Sequence, residues 1–171
     1  LALKSESAAP GPSYFSPHIL ILCKSAQPKD EKYVYFNTLK EQYEWYKKLV
    51  QQIGNDEKFI KERTDEIIKG ISTDEERVKT IFQWVQDNIR YIAFENGIAG
   101  FKPEKAQEVL RKKYGDCKGM ANLLTEMLRS IKLDARRCWI GTKHIAYDYS
   151  TPSLSVDNHM ICAWMNKGKP V

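Results

Sequence analysis

The stretch that decides the fold is Tyr114-Gly115-Asp116-Cys117-Lys118-Gly119, followed by Met120-Ala121-Asn122-Leu123-Leu124-Thr125-Glu126-Met127-Leu128-Arg129-Ser130-Ile131. Met120, Leu123, Leu124, Met127, Leu128 and Ile131 recur at i, i+3, i+4, i+7, i+8 and i+11, one broad face of an α-helix. Asp116 is a good N-cap, and Gly115 permits a tight backbone turn ahead of it. Cys117 therefore stands where a helix begins. The free N–H groups and the dipole at that end favour negative charge. The thiolate is the nucleophilic form of cysteine, and such a position lowers a cysteine pKa from its reference of about 8.5. Lys118 and the run Arg111-Lys112-Lys113 add positive charge nearby in sequence. The competing reading is a small packing residue, since many buried cysteines are inert.

Downstream the period changes from helical to 2. Residues 135–142 and 158–164 read as strands, Asn166-Lys167-Gly168 as a hairpin turn, and Pro170-Val171 as the start of a further strand. Period 2 places Asp157, His159, Ile161 and Ala163 on one strand face. The broad apolar face of the Cys117 helix needs a partner layer, and this strand supplies it. His159 is then the natural base for Cys117: a thiol on a helix tip and an imidazole on the strand beside it make papain-type chemistry. A histidine in a strand also serves structural roles. His18, after Pro17, and His144, in a loop-like stretch, have no accompanying pattern.

Upstream, residues 1–17 read as a loose segment rich in Ser, Ala, Gly and Pro, and residues 18–23 as a buried strand. Leu39, Tyr43, Tyr46, Val50 and Ile53 line one face of a helix that ends at Gly54-Asn55. A second helix spans about 56–69 with Ile60, Ile67 and Ile68 inward. Ser72-Thr73-Asp74-Glu75 is a capping-box pattern opening a third, with Val78, Ile81, Phe82, Val85 and Ile89 as its stripe. Residues 91–101, with two glycines, read as a loop. Its aromatics Tyr91, Phe94 and Phe101 either pack or wall a substrate groove. Pro103 suits the first turn of a short helix over 103–112.

Composition bounds the class. The chain has 171 residues, 42% hydrophobic and 29% charged, which suits one folded domain and excludes wholesale disorder. No apolar run, residues 19–23 included, comes near the ~20 residues a membrane-spanning helix needs. The net charge of +5, from 27 Lys and Arg against 22 Asp and Glu, is weakly basic and mostly dispersed. The compact basic run 111–113 also suits a helix C-terminus, and no zinc-finger or RNA-binding signature accompanies it, so nucleic acid is not an expected partner. The four cysteines, Cys23, Cys117, Cys138 and Cys162, contain no CxxC pair, which argues against structural zinc. One bridge, Cys138–Cys162, remains open. No calcium-loop pattern is present, so no metal or cofactor is expected.

The blocks Tyr114–Gly119, Asp134-Ala135-Arg136-Arg137-Cys138-Trp139-Ile140-Gly141 and Asn158-His159-Met160-Ile161, in that order, closely resemble the transglutaminase-like superfamily core. Arg90-Tyr91-Ile92-Ala93-Phe94-Glu95-Asn96-Gly97 and the 103–110 segment resemble its bacterial branch. The resemblance covers roughly residues 75–171. It implies an α+β, papain-like fold, helices packed on a small antiparallel sheet, with the catalytic cysteine at a helix N-terminus. By the same resemblance Cys117 is the nucleophile and His159 its partner. Bacterial relatives carry a β-rich domain before this core, so residues 1–30 are expected to be its remnant or a linker, and 31–171 the transglutaminase-like domain, cut before its last strands. An extracytoplasmic place, periplasm or cell envelope, rests on the resemblance alone.

One departure stands out. The family's third catalytic member is an Asp on the strand after the histidine. The 12 residues after His159 include no Asp or Glu. Either that residue lies beyond Val171, or Asp157 or Asp148 substitutes, or the site is incomplete. The activity implied is thiol-dependent acyl transfer on a peptide or carboxamide through a thioester, first as hydrolysis by a peptidase or amidase, next as transglutaminase crosslinking. The Cys117 backbone N–H is the expected oxyanion donor. A catalytically inactive binding module of the same fold is the rival from another class.

Overall fold

Five α-helices and seven short strands follow one another along the described residues of the computed structural model, which are 11–27, 29–30, 32–142 and 145–171. His144 and much of the N-terminal segment expected to be loose lie outside them. The chain divides into two units: the described residues up to Trp45 with Trp139–His159, and Tyr46–Cys138 with Met160–Val171.

In the first unit, β1 (Ser25–Ala26) and β2 (Tyr33–Val34) form a short antiparallel ladder, Ser25 opposite Val34. The Tyr14 hydroxyl donates to the Ile145 carbonyl at 2.9 Å, and the Ala146 N–H to Ser13 Oγ at 3.1 Å. The apolar run 18–23 is not the buried strand expected. Ile19 and Ile21 are 87% and 86% exposed, and among the described residues no strand pairs with the run. Period and β-branching favour an extended chain, but a strand also needs a neighbour to take up its backbone groups.

The second unit is built around α5 (Cys117–Ser130), with α2 (Glu57–Ile67), α3 (Asp74–Asn88) and α4 (Ala106–Lys112) against it. The first helix, α1 (Leu39–Gln51), runs from one unit into the other. Leu123, Met127 and Leu128 of α5 pack with Ile60, Ile81, Val85, Val109 and Trp164 in one core. The expected stripes are mostly right, but two helices each keep one large apolar residue outside: Tyr43 on α1 and Phe82 on α3 are exposed. The α3 cap also sits one residue later than expected. Thr73 Oγ1 accepts from the Glu76 N–H at 3.3 Å and donates to Glu76 Oε2 at 2.8 Å, so the reciprocal pair is Thr73 and Glu76.

Two further pieces frame the start of α5. β3 (Arg90–Tyr91) pairs in parallel with β4 (Tyr114–Gly115), Tyr91 opposite Gly115. The Arg90 N–H donates to the Lys113 carbonyl and the Ile92 N–H to the Gly115 carbonyl, both at 2.9 Å. Between α4 and β4 the chain turns through Lys113 in the left-handed region, φ 62°. The last sheet has the order β5 (Ala135–Ile140), β6 (His159–Asn166), β7 (Lys169–Pro170). Lys167 and Gly168, φ 50° and 80°, form the expected tight turn of the antiparallel β6–β7 hairpin. No helix among the described residues is long and apolar enough to cross a membrane.

Candidate active site

Cys117 is the first residue of α5 and is buried. Asp116 caps the helix, its Oδ1 accepting from the Gly119 N–H at 2.7 Å. Its other oxygen pairs with the Lys118 ammonium, whose side chain is only 2% exposed against 8% for Asp116. Lys118 is therefore the counter-ion of the cap, not a free cation beside the thiol. The basic run ahead of it is likewise taken up. Arg111 pairs with Glu108 at 2.5 Å, Lys112 pairs with Glu104, and the Lys113 ammonium lies 4.8 Å from the centre of the Trp84 ring. These contacts match the helix-end reading of residues 111–113.

Gly115 does different work from the tight turn expected of it, and Gly119 shares that work. Gly115 has no left-handed φ; a Cβ there would stand 3.2 Å from Val109 Cγ1. A Cβ on Gly119 would stand 3.1 Å from Val109 Cγ2. Both are small so that α4 can lie tightly against the start of α5, which holds Cys117 at a fixed place on that tip.

The β3–β4 ladder brings Tyr91 to this tip. Its hydroxyl lies close enough to the Cys117 side chain to feel it electrostatically. Burial first, then the neighbouring Cys117, Glu95 and Asp116, hold the Tyr91 phenol above its usual range. A phenol that keeps its proton is available as a hydrogen-bond donor at this tip. The motif reading placed Tyr91 only as a packing or groove residue. The signal that could have found it is the two-residue alternation before the glycine-rich loop, but nothing local shows that this strand lies beside residues 114–115.

Behind the tip, the unit carries a buried polar network. Asn122, fully buried on α5, donates from Nδ2 to the Glu104 carbonyl at 2.8 Å, and its Oδ1 accepts from Arg137 Nε at 2.8 Å. Arg137 pairs with Glu126, and Asn55 closes the network onto Asn122 and the Ala106 N–H.

His159 is the first residue of β6 and is half-buried. The preceding Asn158 is tied to Thr142 twice: the Thr142 N–H donates to Asn158 Oδ1 and Asn158 Nδ2 to Thr142 Oγ1, both at 2.9 Å. His159 belongs to the first unit and Cys117 to the second. Asp157 precedes the strand rather than sharing its face. Its Oδ1 is buried without a hydrogen-bond partner among the described residues, and burial raises its carboxyl pKa. The structure thus shows no bond from Asp157 to the imidazole. Asp148 is used locally, its Oδ1 accepting from the Ser150 N–H at 2.6 Å. All four cysteines are free thiols, so Cys138 and Cys162 form no bridge. Burial pushes the Cys162 thiol up. Among the described residues no three His, Cys, Asp or Glu side chains cluster to hold a metal.

An open cleft of about 440 Å³ lies beside the helix tip, lined by Phe94, Ile98, Pro103, Glu104, Tyr114 and Asp116 among others. Of the three loop aromatics, Phe94 lines it, with its ring 6.0 Å from that of Tyr114.

The model of the transglutaminase-like superfamily matches residues 61–165, well over half of the chain. The chain belongs to this superfamily. The match begins in α2 and runs through the Cys117 tip into β6, so it takes in Cys117 and His159 together. Two solved structures share the fold. One from Parabacteroides distasonis, described as a "putative protease", is 15% identical, with a TM-score of 0.66 over 90% of this chain and 30% of that one. Another from Cytophaga hutchinsonii, described as a "putative cysteine protease", is 16% identical, with a TM-score of 0.51 over 70% of this chain and 38% of that one. At such identities the likeness is one of fold. This superfamily member spans about a third of the length of those structures. No curated protein matches it. The expected α+β, papain-like class is the fold observed.

Proposed function

We propose that this chain carries a thiol-dependent acyl-transfer site that hydrolyses a peptide or carboxamide, with Cys117 as nucleophile. The observation that carries the reading is the setting of Cys117. It is the first residue of a capped helix, and a tyrosine hydroxyl lies beside its side chain. An inert packing cysteine needs neither. Membership of the superfamily, whose pattern places the nucleophile at this position, supports the same assignment, as do the protease descriptions of the two solved structures.

In this reading the Cys117 thiolate attacks the substrate carbonyl. A C–S bond forms, and the C–N bond breaks as the amine leaves with a proton supplied by His159. Water, deprotonated by the same imidazole, then attacks the thioester and releases the carboxylic acid and the thiol. The negative oxygen of each tetrahedral intermediate has two donors within reach of the reacting sulfur. One is the Cys117 backbone N–H, which the helix itself cannot satisfy; the other is the Tyr91 hydroxyl.

The test is reactivity. Iodoacetamide at pH 6 leaves ordinary thiols, with pKa about 8.5, almost unmodified. Mass spectrometry of the treated chain should show Cys117 alkylated well before Cys23, Cys138 and Cys162. His159→Ala should slow Cys117 and leave the other three unchanged. Equal labelling of all four overturns the reading and favours a binding module. Incorporation of a dansylated amine into a test protein, in place of hydrolysis, would replace water by an amine as the second nucleophile.

A further inference from the structure

Given the acyl-transfer reading, on which this step rests, we propose that the cleft beside the α5 tip is a subsite for a peptide residue with a large apolar side chain, next to an acidic residue. The cleft volume of about 440 Å³ falls within the ordinary range of ligand pockets, about 300–1,000 Å³. Asp116, the residue before Cys117, forms part of its wall, so a chain held there passes the thiol within a residue or two. Phe94, Ile98, Ala99, Pro103 and Tyr114 give it an apolar lining. Phe94 and Ile98 leave 48% and 57% of their surface exposed on one short loop. Two large apolar residues exposed together on the wall of one cleft mark a surface that gains from being covered.

The charge at the cleft is equally specific. Four charged residues line it: Lys102, Glu104, Lys112 and Asp116. Glu104 neutralises Lys112, and Lys118 neutralises Asp116. Lys102 is in no ion pair among the described residues and is half-buried. The unspent charge is one ammonium at the rim of an apolar hollow. An acidic residue beside the apolar one meets it, and a basic residue is repelled.

The experiment offers the chain a peptide library randomised on both sides of the cleaved bond, with products read by mass spectrometry. At one position Phe, Leu or Ile should exceed Ala by roughly ten- to hundredfold, with Glu or Asp preferred over Lys beside it. Phe94→Ala with Ile98→Ala should flatten the apolar preference and keep the acidic one. Lys102→Glu should keep the apolar preference and reverse the charge preference. Cleavage without an apolar preference, or preferences that these substitutions leave unchanged, overturns the subsite and leaves the acyl-transfer reading standing. Should no peptide be cleaved, fluorescence anisotropy of labelled Phe-Glu and Ala-Lys peptides decides the subsite separately. Tighter binding of Phe-Glu that Lys102→Glu reverses supports it; equal binding of both overturns it.

Discussion

Substitution of Asp116 separates its two tasks at the tip of α5. One oxygen caps the helix through the Gly119 N–H, and the other neutralises Lys118 in a setting where both side chains are more than nine-tenths buried. Asn is as good an N-cap as Asp, so Asp116→Asn keeps the first task and loses the second. The loss leaves an uncompensated buried ammonium, which costs about 3–5 kcal/mol. Asp116→Ala loses the cap as well, a further ~1 kcal/mol. Against a total stability of about 5–15 kcal/mol, the first variant stays folded and the second is marginal. Urea unfolding followed by circular dichroism measures both. With a slope of about 2 kcal/mol per molar urea, Asp116→Asn moves the midpoint down by roughly 1.5–2.5 M. Asp116→Ala moves it about 0.5 M further. The pairing of Asp116→Asn with Lys118→Met removes both charges and should restore most of the loss, because an apolar replacement of a buried pair is often neutral. A midpoint for Asp116→Asn within about 0.5 M of the original refutes the argument, since Lys118 then needs no partner. Equal midpoints for the Asn and Ala variants refute the cap.

Other perturbations follow from the same geometry. Tyr91→Phe removes the hydroxyl beside Cys117 and should lower kcat/KM for peptide hydrolysis by about a hundredfold with the unfolding midpoint unchanged; an unaltered kcat/KM removes Tyr91 from the chemistry. Arg137→Ala leaves Glu126 with only its longer pair to Arg129, at 3.7 Å, and takes one of two donors from Asn122 Oδ1, so it should cost about 1–3 kcal/mol in urea unfolding, whereas a loss under about 0.5 kcal/mol refutes the network as a stabilising unit. Asp157 has a folded pKa raised by burial above its unfolded value of about 3.9. Its contribution is thus fully present below that value and is lost as pH rises through the folded pKa. Thermal melts from pH 3.5 to 7 should therefore show Asp157→Asn gaining on the original chain as pH rises, and parallel curves contradict the shift. The same variant should leave Cys117 alkylation unchanged, and a slowed reaction would make Asp157 the acid that orients His159.

Local pattern carried much of this. The α5 stripe, the Asp116 cap, the β6 position of His159 and the tight turn at Lys167-Gly168 all depend on residues within a few positions of one another, and each is legible in the sequence. What failed depended on partners far along the chain. Residues 18–23 read as a strand by period, but a strand needs a neighbour, and none pairs with them among the described residues. Tyr91 reached Cys117 only through a two-residue parallel ladder joining positions 90–91 to 114–115. The α3 cap moved by one residue because Ser72 and Thr73 are both competent caps, with Glu75 and Glu76 both in range; which pair closes depends on where the helix packs. Asp157 followed the period of β6 on paper, yet the strand begins two residues later.

The charges near Cys117 reverse a natural assumption. In sequence the thiol lies between a basic run and a lysine, and that suggests a cationic setting for a thiolate. In the structure those cations are spent: Lys118 on Asp116, Lys112 on Glu104, Arg111 on Glu108. An anionic cap beside the nucleophile would by itself oppose a thiolate, and the burial of Lys118 against it cancels that opposition. What remains to favour negative charge at Sγ is neutral and directional: the N–H groups at the start of α5 and the Tyr91 hydroxyl. Such donors stay aimed as the charge moves from sulfur to the carbonyl oxygen during attack, which a flexible ammonium does not guarantee. The lysine after the cysteine therefore acts as a positioning residue for the cap. Lys118→Met leaves Asp116 uncompensated, so it should lower the urea midpoint and slow Cys117 alkylation together; an unchanged alkylation rate would show that the cap charge does not reach the sulfur.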